Sequence, residues 1–372
     1  MSLILDSGAY SAWTSGTEIS LDDYICFCKD HPEISYYVSL DVISGKPTDR
    51  KVRREVVEEG SDRSWKNYQR MIRELPFEKV IPVFHQIDSL RWLDRYLGFG
   101  VPYLGISPNQ RFSSKLRLDW LLYTVKPRLP SALKTHGFGF TSLDMLALGW
   151  TSVDSARWIH MGAMGSILVP KRTRGQWDFL KTPTQVAVTS NQSRGFTGAA
   201  LFDGALYSVA DTRYPHYSSL TPLVRAEFDE WLLENNMSLG DFEIVEVPDN
   251  YKLIRKRGGW SECFVGPRTI VRPTKAGVVS NHLCRKWMNM MFTIRLAEVI
   301  PVEKLYFAGH TGYFSSRRFE EHMPNRLLSY FYWLRRGSEI SKTFEYHFAR
   351  MREEQADVGS QPEEERKYRH QR

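Results

Sequence analysis

Leu3-Ile4-Leu5-Asp6-Ser7-Gly8-Ala9-Tyr10 opens the chain with a short apolar run that stops at an acid and a turn. Successive branched residues suit a strand buried on both faces, and Ser-Gly after the acid suits a tight turn. The pattern recurs along the first half of the chain. Further apolar runs stand at Tyr36–Val42, Val80–Phe84, Tyr103–Ile106, Lys134–Phe140, around Val153, and at Gln185–Thr189. Amphipathic, helix-like stretches lie between them, at Leu21–Lys29, Val56–Glu74, Leu90–Tyr96 and Leu116–Val125. Strands alternating with helices predict parallel βαβ units.

Polar residues mark the ends of these runs. Asp6, Asp41, His85 with Gln86, Ser107, His136 and Asp154 each fall at or just past the end of one. In a βα barrel the loops at the C-terminal strand ends converge on one mouth, whereas an open doubly wound sheet gathers fewer such residues around its switch point. The expectation is an α/β fold with a TIM-type (β/α)8 barrel over residues 1–194. Seven runs are visible there. The segment Lys304–Gly309 reads as an eighth strand, expected to pair with Leu3–Leu5 and close the barrel.

Residues 195–351 read differently, as a mixed α/β accessory region. Helical patterns at Leu223–Asn235, Asn281–Ala297 and Arg317–Arg335 flank a basic, strand-like section at Val245–Val271. This region is expected to bind nucleic acid. Residues 352–372 are charged and nearly free of apolar side chains, and are expected to be disordered.

With 372 residues and 42% hydrophobic composition, the chain can bury a full-sized core. No apolar run reaches the roughly 18 residues that cross a bilayer, so no membrane partner is expected. The first residues lack the basic flank of a signal peptide. Cys26, Cys28, Cys263 and Cys284 include no Cys-x-x-Cys pair, which argues against a disulfide framework and fits a cytoplasmic location. The net charge of +7 favours a polyanionic partner.

Asp6 in Asp6-Ser7-Gly8 and Asp154 in Val153-Asp154-Ser155-Ala156 each admit two readings. Either is a helix cap, or the two are catalytic carboxylates presented from separate strands. Such a pair can divide glycosidic chemistry: one attacks the anomeric carbon, and the other handles protons. Between them lie groups suited to holding a base. Asp41 could accept from a purine-like edge, and His85, Gln86, Gly105 and Ser107 could meet the other edge. Tyr10, Trp13 or Phe138 could stack on its face.

Taken in order, these motifs resemble the tRNA-guanine transglycosylase superfamily, and most closely the phage and bacterial DNA 7-deazaguanine transglycosylases of the DpdA type. Asp6-Ser7-Gly8-Ala9-Tyr10 is similar to the family's Asp-Ser-Gly motif, whose aspartate transfers protons. Ser39-Leu40-Asp41 resembles the motif whose aspartate recognises the heterocycle. His85-Gln86 and Gly105 stand where the family places further base contacts. Val153-Asp154-Ser155-Ala156 is similar to the motif bearing the nucleophile, and His136-Gly137-Phe138-Gly139 to the loop before it. The resemblance spans about residues 3 to 190 and implies base-binding roles for Ser7, Gly8, Tyr10, Asp41, His85, Gln86, Gly105, Ser107, His136, Gly137 and Phe138.

The resemblance implies a ping-pong exchange in which Asp154 displaces guanine from a deoxyribose and a free 7-deazaguanine such as preQ0 then replaces it. No cofactor is implied. The family's zinc cluster, Cys-x-Cys-x-x-Cys…His, has no counterpart here, so no metal is expected, and DNA is favoured over tRNA. Lys171, Arg172 and Arg174, then Arg255, Lys256 and Arg257, then Arg317 and Arg318 are the candidate phosphate contacts, the last two groups lying beside aromatic residues. The alternatives are a tRNA-guanine transglycosylase, a hydrolytic nucleobase glycosylase, and a non-catalytic nucleic-acid-binding barrel.

Overall fold

The computed structural model describes residues 2–49, 51–140, 142–163, 165–188, 215, 217, 220–254, 262–266, 268–276 and 282–307. The chain divides into two compact units. One holds the residues up to Phe140, Leu148–Asp154 and the strand that begins at Val302. The other holds Ser155–Pro301 with a short piece at Thr141–Ala147. Residue 194, where the sequence suggested a boundary, lies outside the described residues.

The first unit begins with β1 (Ile4–Leu5), α1 (Ala9–Ser15), α2 (Leu21–Asp30), β2 (Tyr36–Val38) and α3 (Arg54–Glu74). It continues with β3 (Val80–Ile81), β4 (Val83–His85), α4 (Leu90–Phe99), β5 (Tyr103–Ser107), α5 (Ser114–Trp120) and β6 (Lys134–Gly137). After α6 (Leu143–Leu146), which belongs to the second unit, comes β7 (Trp150–Ser155). The alternation read from the sequence is therefore present, and every described pairing from β1 to β7 is parallel.

Pro82 separates β3 from β4, because it has no N–H to give to a ladder. Hydrogen bonds continue past it on both sides: the Ser39 N–H donates to the Ile81 carbonyl and the Gly105 N–H to the Pro82 carbonyl, each at 2.8 Å. α3 shows why these helices form. Val57, Gly60, Ser61, Ser64, Trp65, Tyr68 and Met71 are its buried positions, and they recur every three or four residues along one face. β5 is buried from Tyr103 to Ile106, as its unbroken apolar run requires.

Two expectations need correction. The closed eight-stranded barrel is not formed among the described residues. The strands of the first unit form a five-stranded sheet and a separate three-stranded one. The late strand exists as β15 (Val302–Phe307 in chain order, after the elements named below), but its sheet neighbour is β7 and not Leu3–Leu5. Its link to the chain start is a side-chain one, with Ser2 Oγ 2.5 Å from the Tyr306 hydroxyl. Pairing depends on residues distant in sequence, and an apolar run does not encode its neighbour. The run at Gln185 likewise stands outside the parallel set, as shown next.

The second unit contains α7 (Arg157–Ala163), β8 (Ser166–Val169), β9 (Lys171–Thr173), β10 (Gln176–Asp178) and β11 (Thr184–Ala187). It then adds α8 (Pro222–Glu234), β12 (Gly240–Glu246), β13 (Cys263–Gly266), β14 (Thr269–Ala276) and α9 (His282–Ala297). β11 runs antiparallel to β8, and β9 and β10 make a hairpin. β14 lies between β12 and β13, antiparallel to both. Asn289 on α9 ties the helix to β8: its side chain accepts from the Leu168 N–H at 2.7 Å and donates to the Ser166 carbonyl at 3.0 Å. No described helix is long and apolar enough to cross a membrane. The helical pattern expected at Arg317–Arg335 and the charged stretch 352–372 lie outside the described residues.

Two glycines test this packing from opposite sides. A Cβ added to Gly162 on α7 would sit 2.7 Å from the backbone nitrogen of Lys286 and 2.8 Å from its Cα. Gly162→Ala is therefore expected to destabilise the protein by about 1–3 kcal/mol, since α9 must back away. Gly98 in α4 meets nothing within 4 Å. Gly98→Ala is expected to stabilise by about 0.4–1 kcal/mol, by restricting the unfolded chain. Thermal midpoints that move in opposite directions would support the packing described.

Candidate active site

Asp6 follows β1 directly, and Gly8, at φ 73°, turns the chain into α1. That left-handed conformation favours glycine. Asp6 does not cap the helix: Gly8 occupies the N-cap position, and one Asp6 oxygen accepts the adjacent Ser7 N–H at 2.8 Å. Ser7 is fully buried, and its hydroxyl donates to Asp41 Oδ1 at 3.0 Å. The other Asp41 oxygen lies 2.7 Å from His85 Nε2. Behind His85, the turn after β4 is fixed by Asp88, which accepts the His85 backbone N–H at 2.9 Å and the Ser61 hydroxyl at 2.9 Å.

Asp154 ends a second chain of contacts. Its Oδ1 accepts the Gly139 N–H at 2.7 Å and lies 3.5 Å from His136 Nε2. His136 is buried, with Nδ1 2.6 Å from Ser152 Oγ, and that hydroxyl lies 2.6 Å from the Tyr103 hydroxyl. Capping beside α7 falls to Ser155, whose hydroxyl accepts the Arg157 N–H at 3.2 Å. Phe138 meets His136 edge-on at 4.5 Å. A Cβ at Gly105 would come within 2.5 Å of the Phe138 ring, so glycine is what lets the ring lie against β5.

The three aspartates share one electrostatic neighbourhood. Asp6 is exposed to solvent, with protein atoms gathered around it at longer range. Its pKa is raised to about 7 first by desolvation, then by the charges of Asp41 and Asp154, against the opposing Ser7 N–H bond. Burial pulls the His85 pKa down, but the hydrogen bond and charge of Asp41, aided by Asp88, outweigh it and the net shift is upward. Asp88 is also shifted up, chiefly by burial.

The remaining candidates lie in several separate places. Tyr10 is 53% exposed and stands 5.7 Å from Trp13. Gly137 and Ser107 close β6 and β5. Gln86 is engaged as a splint between loops: its Oε1 accepts the Asn109 N–H at 2.9 Å, its Nε2 donates to the Leu116 carbonyl at 3.4 Å, and its backbone N–H donates to Ser107. Lys171, Arg172 and Arg174 sit on the β9–β10 hairpin of the second unit, where Arg172 pairs with Glu230 and lies 4.4 Å over Trp177. Arg255, Lys256, Arg257, Arg317 and Arg318 lie outside the described residues. Among the described residues, no group of three or more His, Cys, Asp or Glu side chains is arranged to hold a metal ion.

Sequence reasoning missed Asp88, Ser152 and Tyr103. Ser152 carried a usable signal: it stands two residues before Asp154 on a strand, so both side chains share a face. Asp88 carried a weaker one, as an Asp in the turn three residues past a strand-end His.

The raised acid has a consequence for stability. Asp6 titrates near 3.8 in its ordinary state and near 7 in the fold. Below the lower value it is neutral in both states. As pH rises toward 7 the unfolded chain releases its proton first, so the folded state loses stability relative to its acid-side value. Asp6→Asn is expected to raise the thermal midpoint over the parent at about pH 8, and to change it less at about pH 4.5. The open face of Asp6 makes the gain smaller than a fully buried acid would give. An equal difference at both pH values would contradict the raised pKa. No protein-family model matches the chain, and no curated protein sequence matches it either.

Proposed function

We propose that this chain is a base-exchanging pentosyltransferase that replaces guanine in DNA with a free 7-deazaguanine base. One observation carries the reading: Asp6, just past β1, and Asp154, on β7, lie within electrostatic reach of each other in different settings, Asp6 with its pKa raised to about 7 and Asp154 3.5 Å from His136 Nε2. Environments that differ in this way assign an acid/base role to one carboxylate and an anionic role to the other. The parallel strands of the mixed α/β first unit supply the scaffold on this reading.

On this reading Asp154 attacks C1′ of the deoxyribose as the bond from C1′ to guanine breaks. The bonding electrons leave with the base, and Asp6 supplies the proton that the base takes up. The product is an aspartyl-deoxyribose ester plus free guanine. An incoming 7-deazaguanine then gives its ring N–H proton to Asp6, and its nitrogen attacks C1′ and frees Asp154. The Gly139 N–H and His136 orient the nucleophile. The Ser7–Asp41–His85 unit forms the floor on the heterocycle side, with Gly105, Phe138 and Tyr10 as walls. No cofactor enters the scheme, and the bases are substrates. A flipped or unpaired nucleotide is required, because a stacked guanine hides its C1′.

The test incubates the protein with guanine-containing DNA or tRNA and preQ0, then digests the polymer and measures nucleosides by mass. Deazaguanine in DNA is the expected result. Incorporation into tRNA alone would overturn the DNA assignment, and abasic sites without incorporation would replace transfer by hydrolysis. Asp154→Ala is expected to abolish exchange while folding is retained, and Asp6→Asn to slow it by about 10²–10⁴-fold. The kcat/KM profile of the parent should fall as pH rises past about 7, where Asp6 loses its proton. Exchange that persists unchanged in Asp154→Ala removes this residue from the mechanism.

A further inference from the structure

Three loops of the first unit are joined on the side where the strand-end aspartates lie. The Trp13 indole N–H on α1 donates to the Gly45 carbonyl at 2.5 Å, in the loop that follows Asp41. Arg111, in the loop after β5, donates to the carbonyls of Pro47 at 2.6 Å and Lys46 at 3.1 Å, and also to that of Asp49. Its guanidinium lies 5.2 Å from the Trp13 ring. These bonds tie Trp13, residues 45–49 and Arg111 into one rim, and residues 51–54 and 112–117 continue it in sequence.

The rim is strongly basic and carries bare rings. Residues 46–49, 51–55 and 109–117 contain seven Lys or Arg (Lys46, Lys51, Arg53, Arg54, Arg111, Lys115 and Arg117) against the two acids Asp49 and Glu55. Lys46, Lys51, Arg53, Arg54, Arg111 and Lys115 are exposed. Arg53 and Arg54 stand at the N-terminus of the 21-residue α3, where the helix dipole disfavours cations. An anion seated there would relieve that repulsion. Tyr10 is 53% and Phe112 39% exposed, an open placement for large rings. Fixed cations beside exposed aromatic faces meet the two needs of an unpaired polynucleotide, which offers phosphates and base faces together.

We propose that this rim, rather than the β9–β10 hairpin, is the surface that holds single-stranded polynucleotide next to the carboxylates. The inference rests on the proposed function for its choice of ligand but not for the surface itself. The hairpin is the weaker candidate because Arg172 is already engaged by Glu230 and Trp177.

The test measures fluorescence anisotropy with a labelled single-stranded DNA of about twelve nucleotides, and with the RNA of the same sequence. The triple variant Lys51→Glu/Arg53→Glu/Lys115→Glu is expected to weaken binding at least about tenfold and to flatten the slope of log Kd against log salt by about 2. Phe112→Ala is expected to weaken binding by about fivefold or more without changing that slope. Circular dichroism checks that both variants fold, and the single charge reversals keep the test valid if the triple does not. DNA binding stronger than RNA binding supports the DNA assignment, while the reverse keeps the rim and moves its ligand to RNA. Unchanged binding in the folded triple variant, loss only in Lys171→Glu/Arg174→Glu, or equal displacement by polyglutamate would each overturn the proposal. Binding lost in the triple variant while no polymer is ever modified would sink the transferase reading alone. Exchange abolished by Asp154→Ala with unchanged binding in the triple would sink the rim alone.

Discussion

Like charges brought together in a protein must be compensated or neutralised, and this constraint organises the first unit. Two unit charges about 4 Å apart repel by roughly 4 kcal/mol at an effective dielectric of about 20. Asp6, Asp41 and Asp154 influence one another electrostatically, so their environments have to differ. Asp41 is matched by the Ser7 hydroxyl and His85, and Asp154 by the Gly139 N–H with His136 nearby. Among the described residues Asp6 holds only the neighbouring Ser7 N–H, and it is Asp6 whose pKa climbs.

The scaffold makes this arrangement possible. Parallel strands end on the same side, which brings Asp6 just past β1, His85 at the end of β4 and Asp154 near the end of β7 into one neighbourhood. The support is rigid because it is buried. Ser7, Ser152 and His136 are each at most 1% exposed, and a donor there must keep its partner or leave a costly orphan. The Asp88 turn extends that support from His85 into α3 through Ser61.

Much of this was legible in the residues themselves, and the failures share one physical origin. α3 and α4 could be read because their buried positions follow the helical period, and β5 because an unbroken apolar run has few other uses. The clustering of Asp6, Asp41, His85, His136 and Asp154 followed from their places at strand ends. Strand neighbours were not legible. β15 pairs with β7, and the Gln185 run turned out to be an antiparallel partner of β8. Apolar content specifies that a strand forms, while its partner is set by long-range packing that one run does not encode. Gln86 misled for a related reason: a polar side chain at a strand end can serve a neighbouring loop as readily as a ligand, and its amide went to Asn109 and Leu116.

The asymmetry between the two outer aspartates also orders their roles on the proposed mechanism. A nucleophile must be anionic before substrate arrives, and Asp154 receives a backbone donor whose orientation is fixed by the loop after β6. A proton carrier must hold and release its proton near the working pH, which an ordinary aspartate with its pKa near 4 cannot do. Asp6 meets that need because burial and two neighbouring negative charges raise it. Each acid accepts one backbone N–H, Asp6 from Ser7 and Asp154 from Gly139, so the asymmetry lies in what else surrounds them. Exchanging the roles would put the proton on the carboxylate 3.5 Å from His136 Nε2 and the anion on Asp6, which feels the charges of Asp41 and Asp154. On the proposed mechanism these surroundings favour Asp154 as the group that bonds to the sugar and Asp6 as the group that manages the proton.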